Sequence, residues 1–284
     1  MKGRVEIVEV GPRDGLQNEA RMIPTEDKVR LIDTLGRAGF RRIEAASFVS
    51  PRWVPQMADG AAVMAGIARV AGVRYGALTP NLRGYQAALA AGVDEVAVFT
   101  SASEGFSQAN LNCSIAESLE RFVPIMAAAK ADGVPVRGYV SCVTDCPFDG
   151  PVPPDAVARA AAALREMGCY EVSLGDTTGR GVPGTVAAML AAVLRELPPA
   201  RLAGHFHDTA GQALANIAVS LGHGLRVFDA SVGGLGGCPY APGAAGNVAT
   251  EAVAAMLAAE GWETGLDAGV IAQAATMARG MRGG

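Results

Sequence analysis

Tyr170–Asp208 reads YEVSLGDTTGRGVPGTVAAMLAAVLRELPPARLAGHFHD. It opens on a short β-branched run, YEVSLGD (Tyr170–Asp176). It then passes through an alanine- and leucine-rich stretch with helical content, Thr185–Leu197, and closes on a second run, LAGHFHD (Leu202–Asp208). A strand, a helix and a strand with no hairpin turn between them form the unit that joins parallel strands by a helical crossover.

The same unit recurs in both directions. Further apolar or β-branched runs begin near Val5 (VEIVEV), Arg42 (RIEAAS), Arg74 (RYGALT), Glu95 (EVAVFT), Val136 (VRGYVS) and Val227 (VFDASVG), making eight in all. Helical stretches are predicted at Thr25–Ala38, Pro55–Ala71, Leu82–Ala91, Ile115–Ala131, Asp155–Met167 and Gly211–Leu221. Alanine-rich segments such as Ala156–Leu164 carry high helix propensity. Pro24-Thr25-Glu26-Asp27 predicts a threonine cap with acids in the first turn. Pro153-Pro154-Asp155 marks another helix start. Eight such units predict an α/β protein closed into a (β/α)8 barrel, a TIM barrel; an open doubly wound sheet is the alternative. No linker, charge block or low-complexity tail divides the chain, so residues 1–284 read as a single catalytic domain, a length this architecture accommodates. Cys146–Pro154 (CPFDGPVPP) reads as a long loop after the fifth strand.

Half the residues are apolar and 18% are charged, which supplies a large core and excludes a disordered chain. A net charge of −4 argues against nucleic acid or a membrane surface as partner. Arg30, Arg37, Arg41 and Arg42 read as solvated surface. Five cysteines, an odd number without zinc-type spacing, suggest a reducing compartment. Met1–Val10 runs straight into a strand with no apolar leader, and no run approaches the ~18 apolar residues of a membrane span. A soluble cytoplasmic protein is expected.

In a barrel of this kind the active site lies at the carboxyl ends of the strands. The first strand ends in Arg13-Asp14, the second carries Glu44 and ends at Ser47, and the fourth leads to Ser101 and Ser103. The sixth ends in Ser173-Leu174-Gly175-Asp176, and the seventh in His205-Phe206-His207. The eighth runs into Gly233–Gly246 (GGLGGCPYAPGAAG) and then Asn247. His205 and His207, two of only three histidines, share one face of their strand and could ligate one ion; two hydrogen-bonded structural histidines are the plainer alternative. Asp14 offers a hard oxygen and Asn247 an amide oxygen. A mixed N/O set without thiolates suits Mg²⁺ or Mn²⁺ better than zinc. Arg13 beside Asp14 is either a structural pair or, at a metal site, a stabiliser of an oxyanion. The glycine loop lacks G-K-[ST] and is not a P-loop. It reads as a segment able to close over a site, or as a long turn. Cys238 within it offers a reachable thiol, while the other four cysteines read as inert. His223 reads as a surface or helix-end residue with no role.

At these residues the chain resembles the hydroxymethylglutaryl-CoA lyase family, within a wider group of metal-dependent barrels that make or break carbon–carbon bonds. The likeness runs from Val5 to about Met256 through VEVGPRDGLQNE (Val8–Glu19), IEAASFVSPRWVPQM (Ile43–Met57), EVSLGDTTG (Glu171–Gly179), HFHDTAGQALAN (His205–Asn216) and SVGGLGGCPYAPGAAGNVATE (Ser231–Glu251). The last segment is the most specific. The resemblance implies Asp14, His205, His207 and Asn247 as metal ligands, Cys238 as a catalytic cysteine and Arg13 as a substrate contact. Glu44 and Asp176 match the family's acids, and Ser47, Asn110 and Ser173 match positions lining the substrate or CoA path. Gly233 stands where the usual signature has alanine. Ala20 stands where some relatives have lysine, so a CoA-contacting charge is missing there.

The implied reaction is retro-Claisen cleavage of 3-hydroxy-3-methylglutaryl-CoA to acetyl-CoA and acetoacetate, as in leucine degradation, with Mg²⁺ or Mn²⁺ as cofactor. Asp14 or His205 would serve as base, Arg13 would stabilise the enolate and Cys238 would protonate it. A lyase for a related branched 3-hydroxyacyl-CoA, a condensing synthase with an added C-terminal domain, and a non-catalytic acyl-CoA or metal binder are the alternatives. A homodimer or higher homo-oligomer is expected.

Overall fold

The computed structural model describes residues 2–237 and 246–282. Its strands are β1 (Glu6–Glu9), β2 (Arg42–Ser47), β3 (Arg74–Leu78), β4 (Glu95–Ser101), β5 (Val136–Ser141), β6 (Asp145–Cys146), β7 (Gly150–Pro151), β8 (Glu171–Asp176), β9 (Leu202–Phe206) and β10 (Val227–Ala230). Its helices are α1 (Thr25–Gly36), α2 (Gly60–Gly66), α3 (Leu82–Ala90), α4 (Glu104–Leu111), α5 (Ile115–Asp132), α6 (Pro154–Met167), α7 (Pro183–Val193), α8 (Ala213–Gly222), α9 (Thr250–Ala259) and α10 (Ala268–Met281). Eight strands close into a parallel barrel, β1 pairing with both β2 and β10. Each of the eight begins within one residue of a run read from the sequence.

Four local readings change. Pro24, not Thr25, occupies the α1 cap position, and the Thr25 hydroxyl donates to Asp59 Oδ2 at 2.8 Å. The stretch expected as one helix over Pro55–Ala71 is a short turn at Pro55–Met57 followed by α2. Gly60 packs there so closely that a Cβ would lie 3.0 Å from the Ser47 carbonyl oxygen. The Pro-rich loop holds the β6–β7 hairpin, outside the barrel. Arg42, read as surface, is buried inside the barrel because alternation turns it inward with Glu44.

The main apolar core fills the space between strands and helices, with Leu31, Ile32, Ile43, Val98, Phe122, Ile125, Leu174 and Leu190 among its members. The barrel interior is different. Arg42 Nε donates to Glu6 Oε1 at 2.8 Å and its Nη1 to Glu171 Oε1 at 2.7 Å. Arg137 Nε donates to the same Glu171 oxygen at 2.8 Å, and its Nη2 to Asp229 Oδ1 at 2.8 Å. A continuous ionic chain therefore crosses the barrel from β1 to β10 where this architecture usually stacks branched aliphatic side chains. Paired partners make such burial tolerable.

At the carboxyl end of β1, the amides of Arg13, Asp14 and Gly15 all converge on the Val10 carbonyl, forming a wide turn. Glu9, fully buried, secures it. Its Oε1 accepts from the Gly11 and Val232 amides at 2.8 and 2.9 Å, and its Oε2 from the Thr250 hydroxyl at 2.7 Å. One carboxyl thus ties β1 to a backbone amide before the glycine-rich segment and to a threonine hydroxyl after it. Burial pushes that carboxyl up to about 7 despite these donors.

Candidate active site

The wide turn after β1 projects Arg13 and Asp14 over the barrel mouth. β9 carries His205, and His207 follows it directly. Asn247 is brought to His207 by backbone pairing: the two form an antiparallel bridge, Asp208 N donates to Gly246 O at 2.9 Å and Val248 N to Phe206 O at 3.1 Å. Ligand atoms of Asp14, His205 and His207 lie within 4.8 Å of one another. Asn247 Nδ2 donates to Asp14 Oδ2 at 2.8 Å. A half-turn of that amide exchanges donor for oxygen, so the same position can serve a cation.

The charges suit a cation. Burial alone would raise the Asp14 carboxyl, but the Arg13 guanidinium and the two imidazoles outweigh it and hold it down at about 2. Burial and the neighbouring His205 push His207 down to about 4, leaving a neutral imidazole. Its buried Nδ1 has no hydrogen-bond partner among the described residues. Burial also opposes charge on His205, but Asp229 and Asp14 prevail and raise it. A carboxylate, an amide and two imidazoles, one of them with an unsatisfied nitrogen, fit a divalent cation of the borderline or hard kind.

Arg13 is 5% exposed and held on two sides. Its Nε donates to Glu44 Oε2 at 2.7 Å and its Nη1 to Asp14 Oδ1 at 2.6 Å. Its guanidinium also lies 5.7 Å from the Tyr139 ring centroid. Beneath His205, the ring Nδ1 is 3.1 Å from Asp229 Oδ2, which also accepts from Ser173 Oγ at 2.7 Å.

Arg13, Asp14, His205 and His207 form the floor of a cavity of about 1050 Å³. Its walls include Val49, Leu78, Phe99 and Phe106, and its rim includes Met22, Trp53, Asn110 and Arg121. Trp53 is 86% exposed. Of the residues singled out from sequence, Arg13, Asp14, Asn110, His205 and His207 border this cavity. Glu44 lies behind Arg13, and Asn247 behind Asp14. Ser47, Ser173 and Asp176 are buried and are not among the described residues lining it. Asp176 instead accepts from Thr144 Oγ1 at 2.7 Å and from the Gly181 amide at 2.9 Å, bracing the loop after β8. Cys238 lies outside the described residues.

Two groups escaped the sequence reading. Asp229 is a lone acid inside the apolar run VFDASV, and a buried strand acid requires a partner, which is a usable signal. Trp53 lies inside a quoted motif, but nothing in the pattern tells an exposed rim tryptophan from a core one.

The HMGL-like family matches residues 4–278. The chain is 60% identical over 264 residues to the mitochondrial hydroxymethylglutaryl-CoA lyase of Gallus gallus, covering 93% of this chain and 89% of that one. It is also 60% identical to the 3-hydroxy-3-isohexenylglutaryl-CoA/hydroxy-methylglutaryl-CoA lyase of Pseudomonas aeruginosa, covering 93% and 88%. The structure superposes on that of the HMG-CoA lyase from Brucella melitensis with a TM-score of 0.98, at 62% identity and over 99% of both chains. Motif, barrel and mouth geometry agree with this kinship, and the chain belongs to the HMGL-like family.

Proposed function

We propose that this protein is a carbon–carbon lyase that cleaves 3-hydroxy-3-methylglutaryl-CoA to acetyl-CoA and acetoacetate by a metal-dependent retro-Claisen reaction. The observation that carries the reading is the convergence of Asp14, His205 and His207 beside a clamped Arg13 on the floor of one deep cavity. Asp14, His205, His207 and Asn247 would hold Mg²⁺ or Mn²⁺, which supplies Lewis acidity toward the substrate's C3 hydroxyl and free carboxylate. Arg13 presents a fixed positive charge to the developing enolate, and its anchoring means that little reorganisation is needed as charge builds. Asp14 is the candidate acceptor of the hydroxyl proton, because both His205 nitrogens are committed, Nδ1 to Asp229 and Nε2 toward the cation. Cys238 would return a proton to the enolate carbon. The apolar walls exclude water from the breaking bond, and the rim bearing Asn110 and Arg121 would meet the CoA portion.

The test is acetoacetate release from 3-hydroxy-3-methylglutaryl-CoA with Mg²⁺ or Mn²⁺ and with chelator. Chelator-sensitive release is expected; no release from metal-loaded protein sinks the assignment. The Pseudomonas relative's name favours a second reading, that a longer branched 3-substituent is also accepted. A kcat/KM for such a thioester approaching that for the methyl substrate would establish it.

A further inference from the structure

Resting on the metal-centre reading above, we propose that Asp229 is a positioning residue for that centre: it holds the His205 imidazole with its proton on Nδ1, so that Nε2 turns an open lone pair toward Asp14 and the cation.

Three observations converge on this role. The first is geometry: His205 Nδ1 lies 3.1 Å from Asp229 Oδ2, while Nε2 faces Asp14 Oδ2 at 3.8 Å. The ring thus has one nitrogen against a carboxylate from the barrel interior and the other at the mouth. The second is rigidity. Arg137 Nη2 donates to Asp229 Oδ1 at 2.8 Å and Ser173 Oγ to Oδ2 at 2.7 Å, so both carboxyl oxygens are pinned. Asp229 is 2% exposed, and Arg137 is itself held by Glu171. The third is ring packing: the Tyr139 ring meets His205 edge-on, with centroids 6.2 Å apart. A histidine with two ring nitrogens has a choice of tautomers, and the partner of one nitrogen decides what the other offers. A carboxylate can only accept, so it draws the proton to Nδ1.

The same geometry says what an amide would do in its place. Arg137 only donates, so an asparagine at position 229 must keep its oxygen on the Arg137 side. Its NH₂ then faces His205 Nδ1 and donates to it. The ring proton moves to Nε2 and occupies the lone pair that the cation needs. The substitution is nearly isosteric but inverts the tautomer.

The test is ¹⁵N NMR of histidine-labelled, metal-free protein at alkaline pH, where the rings are neutral, with only three histidines to assign. Mn²⁺ titration of the same samples gives affinity. The wild type should show His205 protonated on Nδ1. Asp229→Asn should move that proton to Nε2 and weaken Mn²⁺ binding by about 10–100-fold. Ser173→Ala, which keeps the carboxylate and removes one donor to it, should retain the Nδ1 tautomer even if Asp229→Asn fails to fold. Wild-type His205 protonated on Nε2 overturns the proposal, as does a Ser173→Ala protein with the inverted tautomer. A tautomer flip in Asp229→Asn with Mn²⁺ affinity within twofold of wild type overturns the role alone. Wild type that binds no Mn²⁺ overturns the metal-centre reading and this role with it.

Discussion

Arg13 and Glu44 meet as a buried ion pair in which Nε and Nη2 both reach Glu44 Oε2, at 2.7 and 2.6 Å. The remaining nitrogen, Nη1, is thereby aimed at Asp14 Oδ1, 2.6 Å away. A lysine cannot reproduce this fork. Arg13→Lys should lower kcat by about 10²–10³-fold, or roughly 3–4 kcal/mol of barrier, with a smaller change in KM. Steady-state kinetics check this; activity within twofold of wild type would remove Arg13 from the chemistry.

Loss of a proposed metal ligand should separate metal binding from folding. His207→Ala removes an imidazole whose buried Nδ1 has no partner among the described residues. Its Mn²⁺ affinity should fall by at least about 100-fold, since even partners outside the ligand set are worth 10–100-fold. The thermal midpoint of the metal-free protein should hardly move. Calorimetric titration and a melt, run together, decide it.

Glu9 predicts a pH signature in stability. Its carboxyl has an ordinary value of 4.5 when unfolded and is raised to about 7 by burial in the folded chain. The folded state therefore binds the proton more tightly. The associated stability is full below 4.5 and is lost as pH rises through about 7. The swing is on the order of 3 kcal/mol. Denaturant melts across that window should show the decline, and Glu9→Gln should flatten it. An unchanged slope in the variant would assign the decline to other groups.

Gly15 holds the wide turn against the barrel's last segment. A Cβ there would lie 2.6 Å from Leu235 Cβ and 2.8 Å from Ser231 Oγ. Gly15→Ala should cost about 1–3 kcal/mol of stability by overpacking. It should also cost on the order of 10²-fold in kcat by displacing Asp14 next door. A variant with normal kcat would show that the turn yields without moving its carboxylate.

Trp53 gives a contrasting case. At 86% exposure it contributes little to folding, yet it borders the cavity rim with Met22. Trp53→Ala should leave the melting temperature within a degree or so while raising KM for the acyl-CoA about tenfold, equivalent to roughly 1.4 kcal/mol. Unchanged KM would place the tryptophan outside the substrate path.

The barrel was readable because its signals are local. Runs such as VEIVEV and EVAVFT recur between alanine-rich segments, and each seeds its own strand. Asp14, His205 and His207 were readable because the fold rule sends strand ends to one mouth, and the structure gathers them there. What stayed hidden depends on neighbours distant in sequence. Arg42 resembled its exposed neighbour Arg41 until β2 turned it inward to Glu171, which is 129 residues away. Asp229 acquired meaning only when β9 and β10 came side by side and set it against His205. The α4 helix escaped because Glu104–Leu111 (EGFSQANL) has little apolar periodicity; Ser103, whose side chain accepts from the Phe106 amide, was its one visible marker.

The ionic chain inside the barrel also bears on how the sheet closes. An aliphatic interior tolerates a strand shifted along its neighbour by two residues, because one branched side chain fills another's place. Arg42, Glu171, Arg137 and Asp229 allow no such exchange: a shifted strand would leave opposite charges unmatched in a buried interior. Misaligned closures are thereby penalised by several kcal/mol for each stranded charge. The charges at the heart of the barrel act as an alignment key, admitting one registration of the strands and with it one arrangement of the mouth.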